Sequence, residues 1–251
     1  MSAADTPLSL LRVAPGDAAA LEGLVDFDGF EPPPVAADEA AWVVQAEGRA
    51  LGTLRLRQGI GQPLPRAWFR LGWAVHAAAE LGLYRRQRTL LLTHDLTGAD
   101  ELGAFALRPG LAPAAAARMW TALVGAACDE ARRRHAASAS TPPLLAELPG
   151  LRDGLHRSPF WQALGRHFHA QTPDAARRQH GPAWAQHVAA LMPRHVLYAA
   201  VLAESAQQAL GALRPTAEPL AAALREAGFG VRDHVGLVDG GPVFERWPAG
   251  A

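Results

Sequence analysis

The stretch LRPGLAPAAAARMW, residues 107–120, decides how the chain is read. It closes an apolar run, turns at Pro109-Gly110, and enters an alanine-rich segment behind Pro113. Pro-Gly is a turn signal, and a proline in the first helical turn is a start signal. A strand that turns straight into a helix offers free N–H groups and the positive end of the helix dipole, which suits an anion. Here methyl groups line that turn, where glycines would give the closest backbone approach.

Outward from this stretch, the pattern alternates. ARMWTALVGAACDEARRR (117–134) predicts an amphipathic helix, SASTPP (138–143) breaks it, and LLAELPG (144–150) predicts a short buried strand. Before it, LLLTHDLT (90–97) and ADELGAFALRP (99–109) predict strands, while WFRLGWAVHAAAELGLY (68–84) fits either element. AWVVQAEGRALGTLRLRQGI (41–60) predicts a hairpin turning at Glu47-Gly48, with TLRLR alternating at period two. LSLLRVA (8–14) predicts a strand, PGDAAALEGLV (15–25) a short helix, and the proline-rich FEPPPVAADEA (30–40) a loop. SPFWQALGRHF (158–168) opens with a Ser-Pro cap and predicts a helix. This order implies an α/β domain with a mixed sheet over residues 1–169. A smaller α/β part follows over 170–251, with a helix ending at Gly228, a strand, and a turn at Asp239-Gly240-Gly241-Pro242. The final RWPAGA is expected to fray.

Composition narrows the function classes. All 24 basic residues are arginine, and 24 acids balance them, so charge favours neither nucleic acid nor an anionic membrane as partner. The abundance of Ala, Gly, Pro and Arg matches a GC-rich bacterial coding bias, which lowers the weight of those residues as functional signals. No apolar run approaches the ~18 residues needed to span a bilayer. The opening MSAADTPLSLLRVAPGD lacks the basic and apolar regions of a secretory signal. Cys128, the single cysteine, lies in the apolar run TALVGAACDEA. A buried structural thiol and a reducing cytoplasm are the expectation.

Five segments, taken together, resemble the arginine N-succinyltransferase family of GNAT-type acyl-CoA N-acyltransferases. They are VHAAAELGLY (75–84), HDLTGADEL (94–102), SPFWQALGRHF (158–168), LMPRHVLY (191–198) and VDGGPVFE (238–245), in the family's order. The resemblance implies a GNAT-like mixed sheet flanked by helices. An acyl-CoA co-substrate would lie across splayed strands, along Phe105, Ala106 and Leu107, with its pyrophosphate at a helix N-terminus. It implies transfer of succinyl, or another acyl group, to the α-amine of arginine or ornithine, with no permanently bound cofactor. A homo-oligomer, or a heteromer with a paralogous subunit, is the expected assembly.

Two departures accompany the resemblance. The family's pyrophosphate loop resembles Arg-Arg-Gly-Gly-Asn-Gly, and alignment on Pro109 sets residues 112–117 of this chain on it. The candidate donors are then Ala114, Ala115, Ala116 and Ala117, with Arg118 as the nearest cation. The competing reading is a plain alanine-rich helix start. The family's general acid resembles a His in a Val-His-Pro context, and Arg214 of GALRPTAEP takes that position here. A guanidinium cannot release a proton at neutral pH, though it could stabilise a thiolate or fork a carboxylate. The plain reading is a solvated arginine at a helix boundary.

Among other residues, Glu147 ends a predicted buried strand beside the cofactor strand and is a candidate base or amine anchor, or a satisfied structural acid. His195 and His76 lie in family-like segments, as candidates for catalysis and for substrate binding. Asp95 and Glu101 flank the strand before the loop and could bind a cationic substrate, or serve as cap and turn acids. His167 and His169 lack the spacing and company of metal ligands, so no metal is expected. Two functions remain in view: an active N-acyltransferase, and a catalytically degenerate subunit that supports an intact paralogous chain.

Overall fold

The computed structural model describes residues 7–62, 64–138, 140–181 and 183–248. In chain order the first half holds strands β1 (Ser9–Val13), β2 (Ala40–Ala46), β3 (Arg49–Arg57), β4 (Trp68–Ala78), β5 (Leu83–Thr93) and β6 (Asp100–Leu107). Helix α1 (Pro113–Arg134), strand β7 (Leu144–Glu147) and helices α2 (Pro159–Ala163), α3 (Pro173–His180) and α4 (Trp184–Ala189) follow. The last part adds β8 (Leu197–Tyr198), α5 (Glu204–Ala209), α6 (Glu218–Glu226), β9 (Gly230–Val235) and β10 (Pro242–Arg246). Among the described residues the strands form one ten-stranded sheet in the order β1-β2-β3-β6-β7-β10-β9-β4-β5-β8. Its described pairs are antiparallel except β6 with β7. The expected mixed α/β architecture is therefore present.

Two cores serve two stretches of the sheet. Alternate residues of β2, β3, β6, β7 and β10 pack under α1 and α6, including Trp42, Leu54, Leu102, Ala146 and Phe244. A second core joins Phe69, Leu90 and Val235 to α2, α4 and α5. Helix α1 forms because alanine favours helix and Pro113 fits its first turn. Its buried residues Ala116, Met119, Trp120, Leu123, Val124, Ala127 and Ala131 recur at three- and four-residue spacing, and three arginines end it, complementing the dipole. Gly52 of β3 lets it lie close, since a methyl there would collide with Met119 Sδ.

Several predicted elements are corrected. Residues 15–25 form only a 3-10 turn, Ala19–Leu21. Gly16 turns at φ +79° to reach Val35 O, and Gly23 at φ +74° lies against the Arg108 guanidinium, so helix cannot propagate. The strand expected over 90–97 begins earlier and ends at Thr93, where Thr93 Oγ1 accepts from Asp95 N and turns the chain. The ambiguous 68–84 is the first arm of a hairpin whose pairing runs from Trp68–Thr93 to Ala78–Leu83. The helix expected over 158–168 breaks at Leu164, because the Trp161 ring packs against Gly165. Of the tail expected to fray, Arg246 ends β10 and the Trp247 indole donates to Glu245 at 2.7 Å, while residues 249–251 lie outside the described residues. Cys128 is buried, as expected, and burial pushes its thiol pKa up.

Strands β6 and β7 position the site. They pair only over Asp100–Leu144, Glu101–Leu145 and Leu102–Ala146, and then part. Along its other edge β6 bulges against β3 between Thr53 and Arg55. Opposite that shift Ala104 takes φ +49°, an uncommon conformation for a residue with a Cβ. A wedge opens where the parallel pair parts.

Candidate functional site

A cavity of about 310 Å³ fills the wedge. Carboxylates dominate its wall: Asp26, Asp28, Glu101, Glu147 and Asp239 face it beside Arg66 and Arg177. Arg66 bridges Glu101 and Glu147, with Nη2 2.9 Å from Glu147 Oε2. Burial works against its charge, but the two flanking carboxylates outweigh that and raise its pKa. Trp68 Nε1 also donates to Glu147 Oε2, at 3.1 Å. With two donors on Oε2, the other oxygen, Oε1, turns toward Gly236 and Asp239: a methyl on Gly236 would stand 2.6 Å from Glu147 Oε1 and 3.3 Å from Asp239 Oδ1. Burial, reinforced by Asp239 and Glu101, pushes the Glu147 pKa up against the pull of Arg66.

Asp239 belongs to the loop between β9 and β10, where Gly236, Gly240 and Gly241 are tightly packed. Its carboxylate accepts from Gly150 N at 2.8 Å and Gly241 N at 2.9 Å. Burial raises its pKa despite those bonds. Two neighbouring carboxylates with raised pKa values, in a cavity with more acids than bases, can hold a cation and take a proton from it.

The wedge edge of β6 is in use. Leu107 donates to Val25 O at 2.9 Å and accepts from Val25 N at 3.0 Å. Gly52 of β3 lies opposite Leu107 on the other edge, so Val25 stands on the edge that faces β7. The segment after Val25 is pinned by arginines from distant parts of the chain. Asp26 meets Arg177 at 2.6 Å, and Asp28 meets Arg152 at 3.0 Å and Arg214 at 2.9 Å. Burial opposes ionisation of Asp28, but the two guanidinium groups hold its pKa below the ordinary value.

The other sequence candidates are distributed as follows. Glu101, Phe105 and Glu147 line the cavity. Ala106 is buried and pairs with Thr53, while Leu107 holds Val25. At the head of α1, Ala116 N–H already bonds Ala112 O at 3.0 Å, and Ala117 lies deeper in the helix, so only Ala114 and Ala115 present first-turn N–H groups. Arg118 is exposed on the same helix. Arg214 is buried and donates to Gly150 O, Phe27 O and Asp28, its Nη2 lacking a hydrogen-bond partner. Asp95 lies outside the cavity, 3.0 Å from His234 Nε2 and 3.5 Å from Arg70. His76 stands exposed on the β4–β5 hairpin with its ring 5.7 Å from Tyr198. His195 is exposed in the loop before β8. Among the described residues no group of His, Cys, Asp and Glu could hold a metal ion.

No local pattern in the sequence marks Arg66, Asp239 or the segment 25–28 as parts of the site. Asp239 lay in the quoted VDGGPVFE but read as a turn residue, and Arg66 sits between prolines and Trp68 with no local pattern to mark it.

A splayed parallel pair in a mixed sheet, with a carboxylate cluster at the split, is also a matter of known folds. The solved structure of arginine/ornithine succinyltransferase subunit AI from Pseudomonas aeruginosa matches 92% of this chain and 64% of its own at a TM-score of 0.68 and 24% identity. The fold is therefore shared with a succinyltransferase subunit. The arginine N-succinyltransferase beta subunit family matches residues 36–248, and the chain belongs to that family. The beta subunit of arginine N-succinyltransferase from Pseudomonas aeruginosa is 33% identical over 202 residues, 79% of this chain and 57% of its own. The arginine N-succinyltransferase of Yersinia enterocolitica is 32% identical over 197 residues, 78% of this chain and 56% of its own. The chain thus spans little more than half the length of these relatives.

Proposed function

We propose that the chain is an N-acyltransferase subunit that places a cationic amine, arginine or ornithine, in the β6–β7 wedge and transfers succinyl from succinyl-CoA to its α-nitrogen. The observation that carries this is the pairing of Glu147 with Asp239, both raised in pKa, in a cavity with five carboxylates and two arginines. The α-amine of a free amino acid is more basic than a chain N-terminus of pKa ~7.7–8.0, so it is protonated at neutral pH and must lose a proton to attack a thioester. The Glu147 carboxylate, which lines the cavity, is the group we assign to accept it, and a carboxylate of raised pKa is the better base. Arg66 fixes the Glu147 carboxylate from the opposite side, and Glu101 keeps that guanidinium balanced.

The donor side fits less well. With Val25 on Leu107 and alanines in place of glycines at the helix start, a pantetheine arm and pyrophosphate do not fit the wedge edge as it stands. This favours, as a second reading, a subunit that binds the amine while a paralogous chain performs the transfer. Relatives named as subunits are consistent with such an assembly, as are Trp73, Val75 and Tyr84, exposed on the β4–β5 hairpin. No helix among the described residues is long and apolar enough to cross a membrane, and a free buried Cys128 suits a reducing cytoplasm.

The test is thiol release from succinyl-CoA across a panel of amines. Release that requires arginine or ornithine supports the transferase. Stabilisation by the amines in a thermal melt, with no thiol release, supports the second reading.

A further inference from the structure

We infer that residues 25–30 form an internal strap that competes with the acyl donor for the open edge of β6, and that Arg214 is its latch; this rests on the acyl-CoA reading above. An extended donor arm carries amide groups that need backbone partners when it leaves water. At the wide end of the wedge, Leu107 offers its N–H and C=O on the side facing β7, and Val25 takes both. Strap and donor arm cannot occupy that edge together.

The strap is built to be released as a unit. Asp26 closes it on itself: its N–H donates to Phe30 O at 2.8 Å, and its Oδ1 accepts from the N–H groups of Asp28 and Phe30, each at 2.9 Å. Leu24 before it and Val35 after it are buried anchors, 0% and 3% exposed, whereas none of residues 25–30 is buried. Gly29, at φ +82°, gives the loop its reversal. What holds it down comes from elsewhere. Arg214 donates to Phe27 O at 2.7 Å and to Asp28 at 2.9 Å, while its Nε donates to Gly150 O at 3.2 Å behind β7. Arg152 and Arg177 take Asp28 and Asp26, and the Phe27 ring stacks on Trp120 at 6.5 Å. Opening therefore breaks two sheet hydrogen bonds, a set of ion pairs and the stacking of half-buried Phe27 on Trp120, and removes no fully buried side chain. This assigns Arg214 a role in which the missing proton-donor chemistry does not matter: it is a positioning residue for the strap.

The experiment uses CoA as probe and calorimetry as readout, on the full chain. Val25 and Leu107 form a directly opposed antiparallel pair, whose Cα atoms lie about 5.5 Å apart in such ladders, within reach of a disulfide. In the double variant V25C/L107C oxidation locks the strap and reduction frees it, with buried Cys128 out of reach. Asp28→Asn weakens the latch without truncation. The expected result is that oxidation weakens CoA binding at least about tenfold, that reductant restores it, and that Asp28→Asn binds about tenfold more tightly than the parent, because apparent affinity scales with the open fraction. Equal affinity of the locked and freed forms would overturn the strap and leave the donor reading intact. Absence of CoA binding in every form, with a normal urea midpoint, would overturn both. Matching urea midpoints for the freed variant and the parent separate these outcomes from misfolding.

Discussion

Replacing His234 with glutamine is expected to cost about 3 kcal/mol of stability near pH 6 and much less near pH 9. His234 is 7% exposed and stands between Glu245 Oε1, 2.7 Å from Nδ1, and Asp95 Oδ1, 3.0 Å from Nε2. Burial alone would lower its pKa; the two carboxylates outweigh it and raise the folded value above 6.5. A raised folded pKa means the folded state binds its proton more tightly than the unfolded chain. The contribution is therefore complete below about pH 6.5, and is lost as pH climbs through the folded pKa. The size follows from the partners. Glu245, its side chain 0% exposed, would lose its cation, a change worth about 3–5 kcal/mol for a buried carboxylate. It keeps the Trp247 indole donor at 2.7 Å, which places the cost at the low end of about 3 kcal/mol. Asp95, 36% exposed, adds little because water screens it. Urea unfolding of both proteins at the two pH values supplies the check. A variant within about 1 kcal/mol of the parent at the lower pH, or a gap that widens as pH rises, would refute the reasoning.

Further predictions concern the site and the core. If the chain carries out the transfer proposed above, Glu147→Gln is expected to slow it by about 10²–10⁴ while shifting stability by no more than about 1 kcal/mol, since Arg66 retains Glu101; initial rates and urea midpoints decide it. In the parent the acidic limb of the rate profile should lie above the ordinary carboxylate range, because the Glu147 pKa is raised, and that limb should vanish in the variant. Gly52→Ala is expected to lose about 1–3 kcal/mol in urea by driving a methyl into buried Met119 Sδ. Cys128 should resist alkylation in the native state and react on unfolding, which mass spectrometry of iodoacetamide-treated protein reads directly.

The local features of the fold were legible where side-chain period and turn chemistry agreed. The β2–β3 hairpin at Glu47-Gly48 and the helix behind Pro113 follow from residues within a few positions of each other. The failures share a cause, which is that a distant group decided the outcome. Arg108 against Gly23 stopped the first helix, and the Trp161 ring against Gly165 split another. The sequence marked Glu101 and Glu147 as acids near a strand end, but Arg66 between them is 35 and 81 positions away. The same holds for the strap. Val25 looked like the end of a helix, and nothing within ten residues of it predicts a partner at Leu107 or an arginine at 214.

The place of β9 and β10 has a consequence for how the chain reaches this state. They sit between β7 and β4, so residues 230–246 join a half-sheet of β1-β2-β3-β6-β7 to one of β4-β5-β8. Each half can pair internally, but neither touches the other through a ladder until this late segment inserts. Such insertion closes loops of more than a hundred residues, from β4 at 68–78 to β9 at 230–235. Chains that depend on contacts of this span fold slowly, and they expose strand edges while they wait. Until β9 and β10 arrive, Glu147 has no Asp239 beside it, so the last strands to find their place also complete the pair of carboxylates.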